Sequence, residues 1–557
     1  MSSTPLIVAS TERRSLVTAR IGVPQAIVGM AACAATVLVG SRLDYVPMWD
    51  GFDYATAINA AATGPFQPGN LRLAGHASQA YAALAALAQM LAPGHYWPLL
   101  MVNVLLFGVA AAGFHRLASL AFPGDEHTND RALLTGAFLL HPAMLSAVVQ
   151  PGLDLPLVPA FLWAAVFVVQ GRWPAAAVMG MALAFTKETG VLLYAALIAT
   201  RVLWNPRVAF GDPARRLDGV NRLAILAIPG LAFGGYVLVR IHTAPPGEPV
   251  VWNAGTAMIQ QSLLHQLIVP RIDRYLATYL AIMLVLSFAW VVTIVGAAGL
   301  LISAKRAVRR LGVRQAWRAL GTVPGFLVLL TAATAYALTR FATYANTRYL
   351  LVAMTLLLLL FLGALISLGF GPTARRSILA GFAMVLGLSS VRTIDPVSRL
   401  VFGTFPFGDH SILRMNSISH ECCALGRDQM AYNLEFTTLA ALTDDALAMI
   451  GATQSTLLVL PDSTHWRSIE FIDPRTHRRT LDATVGVRPL VAEADSAALY
   501  ARQVSGAYFI ALPNGAERRA LQMLDSAFTA GPERRVRRGT YWLTVYPLTP
   551  RADRPTP

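Results

Sequence analysis

The residues of this chain that could do chemistry are carboxylates and cations set between long apolar runs. The stretch SRLDYVPMWDGFDYATAINAA carries Asp44, Asp50 and Asp53, and VVQPGLDLPLVP carries Asp154. AFTKETGVLLY places Lys187 beside Glu188. Arg271, Asp273 and Arg274 follow, then Arg340 and, in YANTRYLL, Arg348. A positioned carboxylate can take the proton of an attacking hydroxyl. Lys or Arg in a dry pocket can stabilise the charge that builds on a departing phosphate. These residue types together suit transfer of a group to a hydroxyl from a phosphate-linked donor. Taken singly, each has an ordinary use. A loop Asp caps a helix, Lys187 and Glu188 anchor a helix end by snorkelling, and Arg348 sits at an interface. The chemical reading rests on their convergence, and that depends on the elements that carry them.

Those elements are set by composition. Of 557 residues, 55% are hydrophobic and 13% are charged, against about 25% charged in ordinary soluble domains. Apolar stretches long enough to cross a bilayer recur to about residue 391. A soluble enzyme, a disordered scaffold and a secreted disulfide framework are excluded. The net charge of +15 is read as membrane orientation rather than nucleic-acid binding. Among the basic residues only Lys187 and Lys305 are lysines. The three cysteines, Cys33 and the vicinal Cys422 and Cys423, lack the C-x-x-C spacing of a thiolate metal site.

Expected spans are 23–40, 96–118, 132–149, 155–170, 174–187, 190–204, 222–240, 276–303, 322–338, 349–370 and 377–391, about eleven in all. The apolar stretch 76–92 is short and ends at Pro93-Gly94; it is read as a helix lying at the interface. With residues 1–20 inside, the inner segments hold most of the basic residues, including Lys305, Arg306, Arg309, Arg310, Arg314 and Arg318. Counting 76–92 as a span would invert that distribution, against the positive-inside rule. The expected organisation is a cytoplasmic N-terminus (1–20), a membrane domain (21–391) with an acidic outer loop (41–75) and interfacial helix (76–92), an extracytoplasmic α/β domain (392–548) and a disordered tail (549–557). In the last domain, stretches 436–450, 494–504 and 517–528 have helical period. Each precedes a β-rich run, at 456–460, 508–512 and 540–546. This sidedness places Asp50, Asp154, Lys187, Glu188, Arg271, Arg274 and Arg348 at one outer face.

At these residues the chain resembles the membrane glycosyltransferases of the GT-C superfamily, most closely the branch of lipid A aminoarabinose transferases and protein O-mannosyltransferases. Trp49-Asp50-Gly51-Phe52-Asp53-Tyr54 takes the place of that family's acidic first-loop motif, and His76 to Ala92 the place of its interfacial helix. Asp50 matches the family's catalytic base; Gly51 stands where Glu is common, so the second carboxylate is Asp53, and either can be the base. Asp154 resembles a second acidic position. Phe185-Thr186-Lys187-Glu188-Thr189-Gly190 resembles a helix end whose Lys contacts the donor phosphate, and Arg348-Tyr349-Leu350 resembles a late Arg-Tyr motif.

The resemblance implies an α-helical polytopic membrane enzyme of GT-C type, a hexosyl- or pentosyltransferase. It would move one sugar, with inversion, from a polyprenyl-phosphate donor to a lipid, glycan or protein acceptor. Lys187 and Arg348, with Arg271 and Arg274, would hold the departing phosphate. Asp154, Glu188 and His76 would orient donor or acceptor. A divalent cation, Mg2+ or Mn2+, on Asp50 and Asp154 is a further expectation. The expected place is a bacterial inner membrane with the active face periplasmic, and no nucleic-acid partner is expected. Two other readings stay open: a transporter or lipid flippase, and a carrier-dependent polysaccharide polymerase or ligase. Polar residues at one edge and the absence of matching halves weigh against transport. The outer loop 241–275, with His242, His265, Arg271 and Arg274, gives the ligase modest support.

Overall fold

In a computed structural model of the chain, the structure describes residues 23–41, 50–65, 71–204, 216–243, 274–319, 322–341, 346–407, 409–413, 425–426, 428–451, 456–460, 488–491, 506–511 and 516–551. Arg271, the loop around His265, Cys422, Cys423 and the stretch 494–504 lie outside them. Most of the described chain is helical, as a lipid solvent demands of backbone that must satisfy its own hydrogen bonds.

Among the described residues five helices are long and apolar enough to cross a membrane: Trp97–Ala121, Asn221–Thr243, Leu276–Arg309, Thr347–Ser367 and Pro372–Val391. A bent pair of helices has the length and composition of a sixth. The expected span 132–149 is two helices, the first ending at Leu139 and the second Pro142–Val149, with 50° between them. Pro142 cannot donate a backbone hydrogen bond, so the helical ladder breaks there. His141 caps the second half, its Nδ1 lying 3.3 Å from the Ala143 N–H that donates to it. The apolar helices Pro24–Gly40, Asp154–Gln170, Trp173–Ala184 and Val323–Thr339 are shorter. The expected eleven counts all of these and Glu188–Trp204 as crossings; length and composition alone give up to six.

The expected span 276–303 also contains a break. Ser287 and Phe288 have φ of 56° and 62°, a left-handed conformation that non-glycine residues adopt only when their surroundings hold it. Asp395 accepts from the Phe288 N–H at 2.6 Å and from the Trp290 indole at 3.1 Å. Ser398 accepts from the Ser287 N–H at 3.0 Å, and Ser287 Oγ donates to Gln429 at 2.8 Å.

The loop expected at 41–75 contains a helix, Asp50–Thr63, and a 3-10 turn, Leu73–Gly75. Within 76–92 the helix is Gln79–Gln89. At about 1.5 Å per residue it is too short to cross a hydrocarbon layer of about 30 Å. It buries Tyr81, Ala82, Ala85, Ala86 and Gln89 and leaves Leu84 and Leu87 exposed. At another helix end the carboxylate of Asp130, fully buried, is held by Arg375 at 2.9 Å and approached by Arg376 at 3.6 Å. This ties Pro372–Val391 to Thr128–Leu139.

After residue 391 the chain forms a hairpin of β1 (Thr404–Phe407) and β2 (His410–Leu413), a helix Met430–Met449, and a sheet. The sheet strands are β3 (Thr456–Leu460), β4 (Arg488–Val491), β5 (Gly506–Ala511), β6 (Phe528–Ala530), β7 (Arg534–Arg538) and β8 (Tyr541–Pro550). Their order is β4-β3-β5-β8-β6, with β7 also on β8; β3, β4 and β5 are parallel and β8 runs against β5. One expectation is corrected here. Residues 549–551 are not tail: Thr549 and Pro550 close β8, the Arg551 N–H donates to Ala527 O at 3.0 Å, and its guanidinium pairs with Asp525 at 2.5 Å. Pairing with β6 provides backbone partners that composition could not foretell.

Helix Met430–Met449 joins the sheet to the apolar bundle. Asn433 donates to Ser146 Oγ at 2.8 Å and accepts from Gln150 at 2.9 Å. On the same helix, burial pushes the Glu435 carboxyl up to about 8, against the pull of Arg392. A raised carboxyl contributes stability that is full below its unfolded value of 4.5 and is lost as pH rises to about 8. The thermal unfolding temperature is therefore expected to fall as pH rises over that window, and its pH dependence to flatten in Glu435→Gln; an unchanged slope in the variant would sink the assignment.

Candidate active site

The polar residues of four separate segments meet at one end of the helical bundle. Asp50 is the first residue of helix Asp50–Thr63, and Asp154 the first of Asp154–Gln170. A carboxylate there is favoured by the unpaired N–H groups and dipole of the first turn. Lys187 lies in the turn between Trp173–Ala184 and Glu188–Trp204. Arg348 lies in a 3-10 turn, Thr347–Leu350, that opens helix Leu351–Ser367.

Two glycines allow this approach. A Cβ on Gly190 would lie 2.0 Å from the Leu183 carbonyl oxygen, so no larger residue permits the tight turn that holds Lys187 and Glu188. A Cβ on Gly51 would lie 3.1 Å from the Pro151 carbonyl. The larger Glu expected by resemblance would press on the turn that carries Asp154.

Lys187 Nζ is 2.6 Å from Asp154 Oδ1, both side chains being about nine-tenths buried. Arg348 reaches Asp50 Oδ2 at 2.5 Å, and its Nε lies 3.7 Å from Asp154 Oδ2. The ammonium of Lys187 also stands 4.3 Å above the ring of Tyr349, a favourable place for a cation. Asp50 keeps 46% of its side chain exposed, so a substrate can reach it. Beside this group is an open cleft of about 320 Å³, lined by Ser146, Gln150, Gly152, Asp154, Arg348 and Asp428 among others.

A second pair lies next to the first. His76 Nδ1 is 2.8 Å from Glu188 Oε2, and the Ala77 N–H donates to Glu188 Oε1 at 3.0 Å. The Ala80 N–H donates to the Phe185 carbonyl at 2.8 Å. Glu188 therefore fastens the start of the interfacial segment to the turn that bears Lys187. Tyr54 packs edge-on to His76, with ring centroids 6.5 Å apart. Burial and the nearby Asp50 carboxylate push its phenol well above the ordinary value, so it stays a neutral hydroxyl.

The structure thus brings together Asp50, Asp154, Lys187 and Arg348, with Glu188 and His76 adjoining. Asp53 is exposed on the first turn of its helix and is not among the carboxylates that Arg348 grips. Arg274 opens helix Arg274–Val285, with its side chain outside the description, and Arg271 lies outside the described residues. One participant was missed. Asp428 accepts from the Arg348 N–H at 3.1 Å and lines the cleft. It lies eighty residues from Arg348 in a stretch read as part of another domain, and nothing in the sequence near it signals the contact. Among the described residues no three His, Cys, Asp or Glu side chains are grouped to hold a metal ion. Arg348 and Lys187 pair with Asp50 and Asp154, the two carboxylates expected to hold a divalent cation.

No protein-family model and no curated protein matches the sequence. Among solved structures, the chain is similar to ArnT from Cupriavidus metallidurans bound to undecaprenyl phosphate, at 14% identity over 93% of this chain and 97% of that one, with a TM-score of 0.47. It is similar to the apo state of the same protein at 15% identity over 94% and 98%, again with a TM-score of 0.47. The Archaeoglobus fulgidus oligosaccharyltransferase in its apo form is similar at 12% identity, over 91% of this chain and 73% of that one, with a TM-score of 0.39.

Proposed function

We propose that this chain is a membrane glycosyltransferase that moves one hexosyl or pentosyl unit from a polyprenyl-phosphate donor to a hydroxyl of a lipid, glycan or protein. The observation that carries this reading is the meeting of two cations and two carboxylates at the end of an apolar helical bundle: Arg348 pairs with the half-exposed Asp50, and Lys187 with the buried Asp154. A lipid-borne phosphate arrives at that depth with its tail in the bilayer.

In this mechanism the acceptor oxygen attacks the anomeric carbon as Asp50 takes its proton. The bond between that carbon and the phosphate oxygen breaks on the opposite side, so the configuration inverts and polyprenyl phosphate departs. Lys187 and Arg348 meet the charge on the phosphate. They are held by Asp154 and Asp50 before the donor binds. When Arg348 turns to the phosphate, Asp50 is released for the acceptor. Asp154 keeps Lys187 in place, and Glu188 with His76 fixes the interfacial segment beside the site. Arg271 and Arg274 are proposed as further phosphate contacts. The proposed setting is a bacterial inner membrane, with the N-terminus cytoplasmic and the site and the segment after residue 391 on the periplasmic side.

Saturable binding of a short-chain polyprenyl phosphate to the protein in lipid nanodiscs, followed by turnover of its glycosylated form, tests the reading. No binding would overturn it and favour transport. Since the two cations already neutralise Asp50 and Asp154, activity is expected to survive EDTA. Loss of activity restored by Mg2+ or Mn2+ would instead assign a metal to those carboxylates.

A further inference from the structure

A second polar group lies near the far end of the helix that begins at Glu188. Arg201 is thirteen residues along, about 20 Å down the axis at 1.5 Å per residue, and is only 9% exposed. Its guanidinium lies 4.6 Å from the ring centroid of Trp204 and 5.7 Å from that of Trp173. Two of its nitrogens, Nε and Nη1, are buried without a hydrogen-bond partner, as is the indole nitrogen of Trp204. A guanidinium cannot shed its charge at working pH, and native structures satisfy nearly all buried donors. Among the described residues nothing accepts from these nitrogens, so the group offers unused donors to an anion.

The surroundings define that anion. Arg201 lines an open surface cleft with Trp173, Ile198, Arg222, Leu223 and Leu226. Arg222 is half-buried and supplies a second cation. The rest of the lining is apolar, formed by the ends of helices Trp173–Ala184, Glu188–Trp204 and Arg216–Thr243. Soluble anions are solvated by polar walls; a wall of Leu, Ile and Trp suits a phosphate that carries acyl chains. Basic pockets between membrane helices hold acidic headgroups in this way. Trp173 opens one helix and Trp204 closes another, and tryptophans at the ends of membrane helices favour the headgroup region.

We propose that Arg201 and Arg222 form a binding site for the phosphate of an anionic phospholipid, at the membrane face opposite the candidate active site. The headgroup phosphate accepts from Arg201 Nε and Nη1, while Trp173 and Trp204 flank the guanidinium and the acyl chains run along Ile198 and Leu226. The site is separate from Lys187 and Arg348 and stands whether or not the chain transfers sugars.

The test titrates delipidated full-length protein in a non-ionic detergent with dioleoylphosphatidylglycerol and counts bound lipid by native mass spectrometry. Dioleoylphosphatidylcholine and inorganic phosphate form the other two arms. Saturable phosphatidylglycerol binding is expected, weakened about tenfold or more in Arg201→Gln, the loss that follows from removing a charge-assisted hydrogen bond. Phosphatidylcholine is expected not to compete, because its choline cation faces the same arginines. If Arg201→Gln unfolds early in a thermal scan, Arg222→Gln carries the comparison. Binding unchanged in the folded variants would overturn the proposal. Displacement of the lipid by millimolar inorganic phosphate would also overturn it, assigning the pocket to a free anion.

Discussion

Asp50→Asn is expected to lower sugar transfer by about 10²–10⁴-fold, the range for losing a general base, while binding of polyprenyl phosphate persists. The amide keeps the size of the carboxylate and can still accept from Arg348, but it cannot take the acceptor's proton. The ion pair it removes involves a carboxylate that is 46% exposed. Arg348, itself largely buried, keeps the Asp154 carboxylate 3.7 Å away, so the variant should fold and any loss belongs to the chemical step. Asp53→Asn is the control. Asp53 lies one turn further along the helix and is exposed, so its replacement should cost far less. If Asp53→Asn abolished turnover while Asp50→Asn did not, the assignment would pass to Asp53, the other carboxylate of the sequence motif.

The second large effect is expected at the Lys187–Asp154 pair. Both side chains are about nine-tenths buried and their charged atoms are 2.6 Å apart. Removing one partner of a buried pair leaves an uncompensated charge, at a cost of about 3–5 kcal/mol. Lys187→Met alone should therefore unfold at distinctly lower temperature, and so should Asp154→Leu alone. The double variant removes both charges together and should regain most of that stability. It should not regain polyprenyl phosphate binding, because the cation that meets the phosphate is gone. This separates a fold defect from a binding defect. A double variant that bound the lipid phosphate like wild type would remove Lys187 from the site.

Much of the architecture is legible in the chain because lipid acts on every window of residues alike. A run such as 97–121 or 351–367 is apolar enough to predict its own helix without knowledge of its neighbours. The strand β3 and helix Met430–Met449 are likewise readable from local period. Breaks within apolar runs are harder to read. His141-Pro142 lies inside an apolar stretch, and hydropathy averages over it although proline chemistry interrupts it. The turn at Ser287 and Phe288 carries no glycine or proline at all; Asp395 and Ser398, more than a hundred residues away, hold it.

The sequence by itself determined that this is a multi-pass membrane protein and which few ionisable residues lie at the ends of its helices. It did so because burying a charge in hydrocarbon is costly enough to confine such residues to helix ends or to use. Only the tertiary structure decided how they pair. Lys187 and Glu188 are neighbours in the chain, and a local reading couples them. Consecutive residues around a helix end point in directions well apart, so Lys187 turns to Asp154 and Glu188 to His76. Arg348 reaches Asp50 across 298 residues. No periodicity carries that information, because the contact is made by the packing of separate helices whose side chains meet only once the bundle has formed.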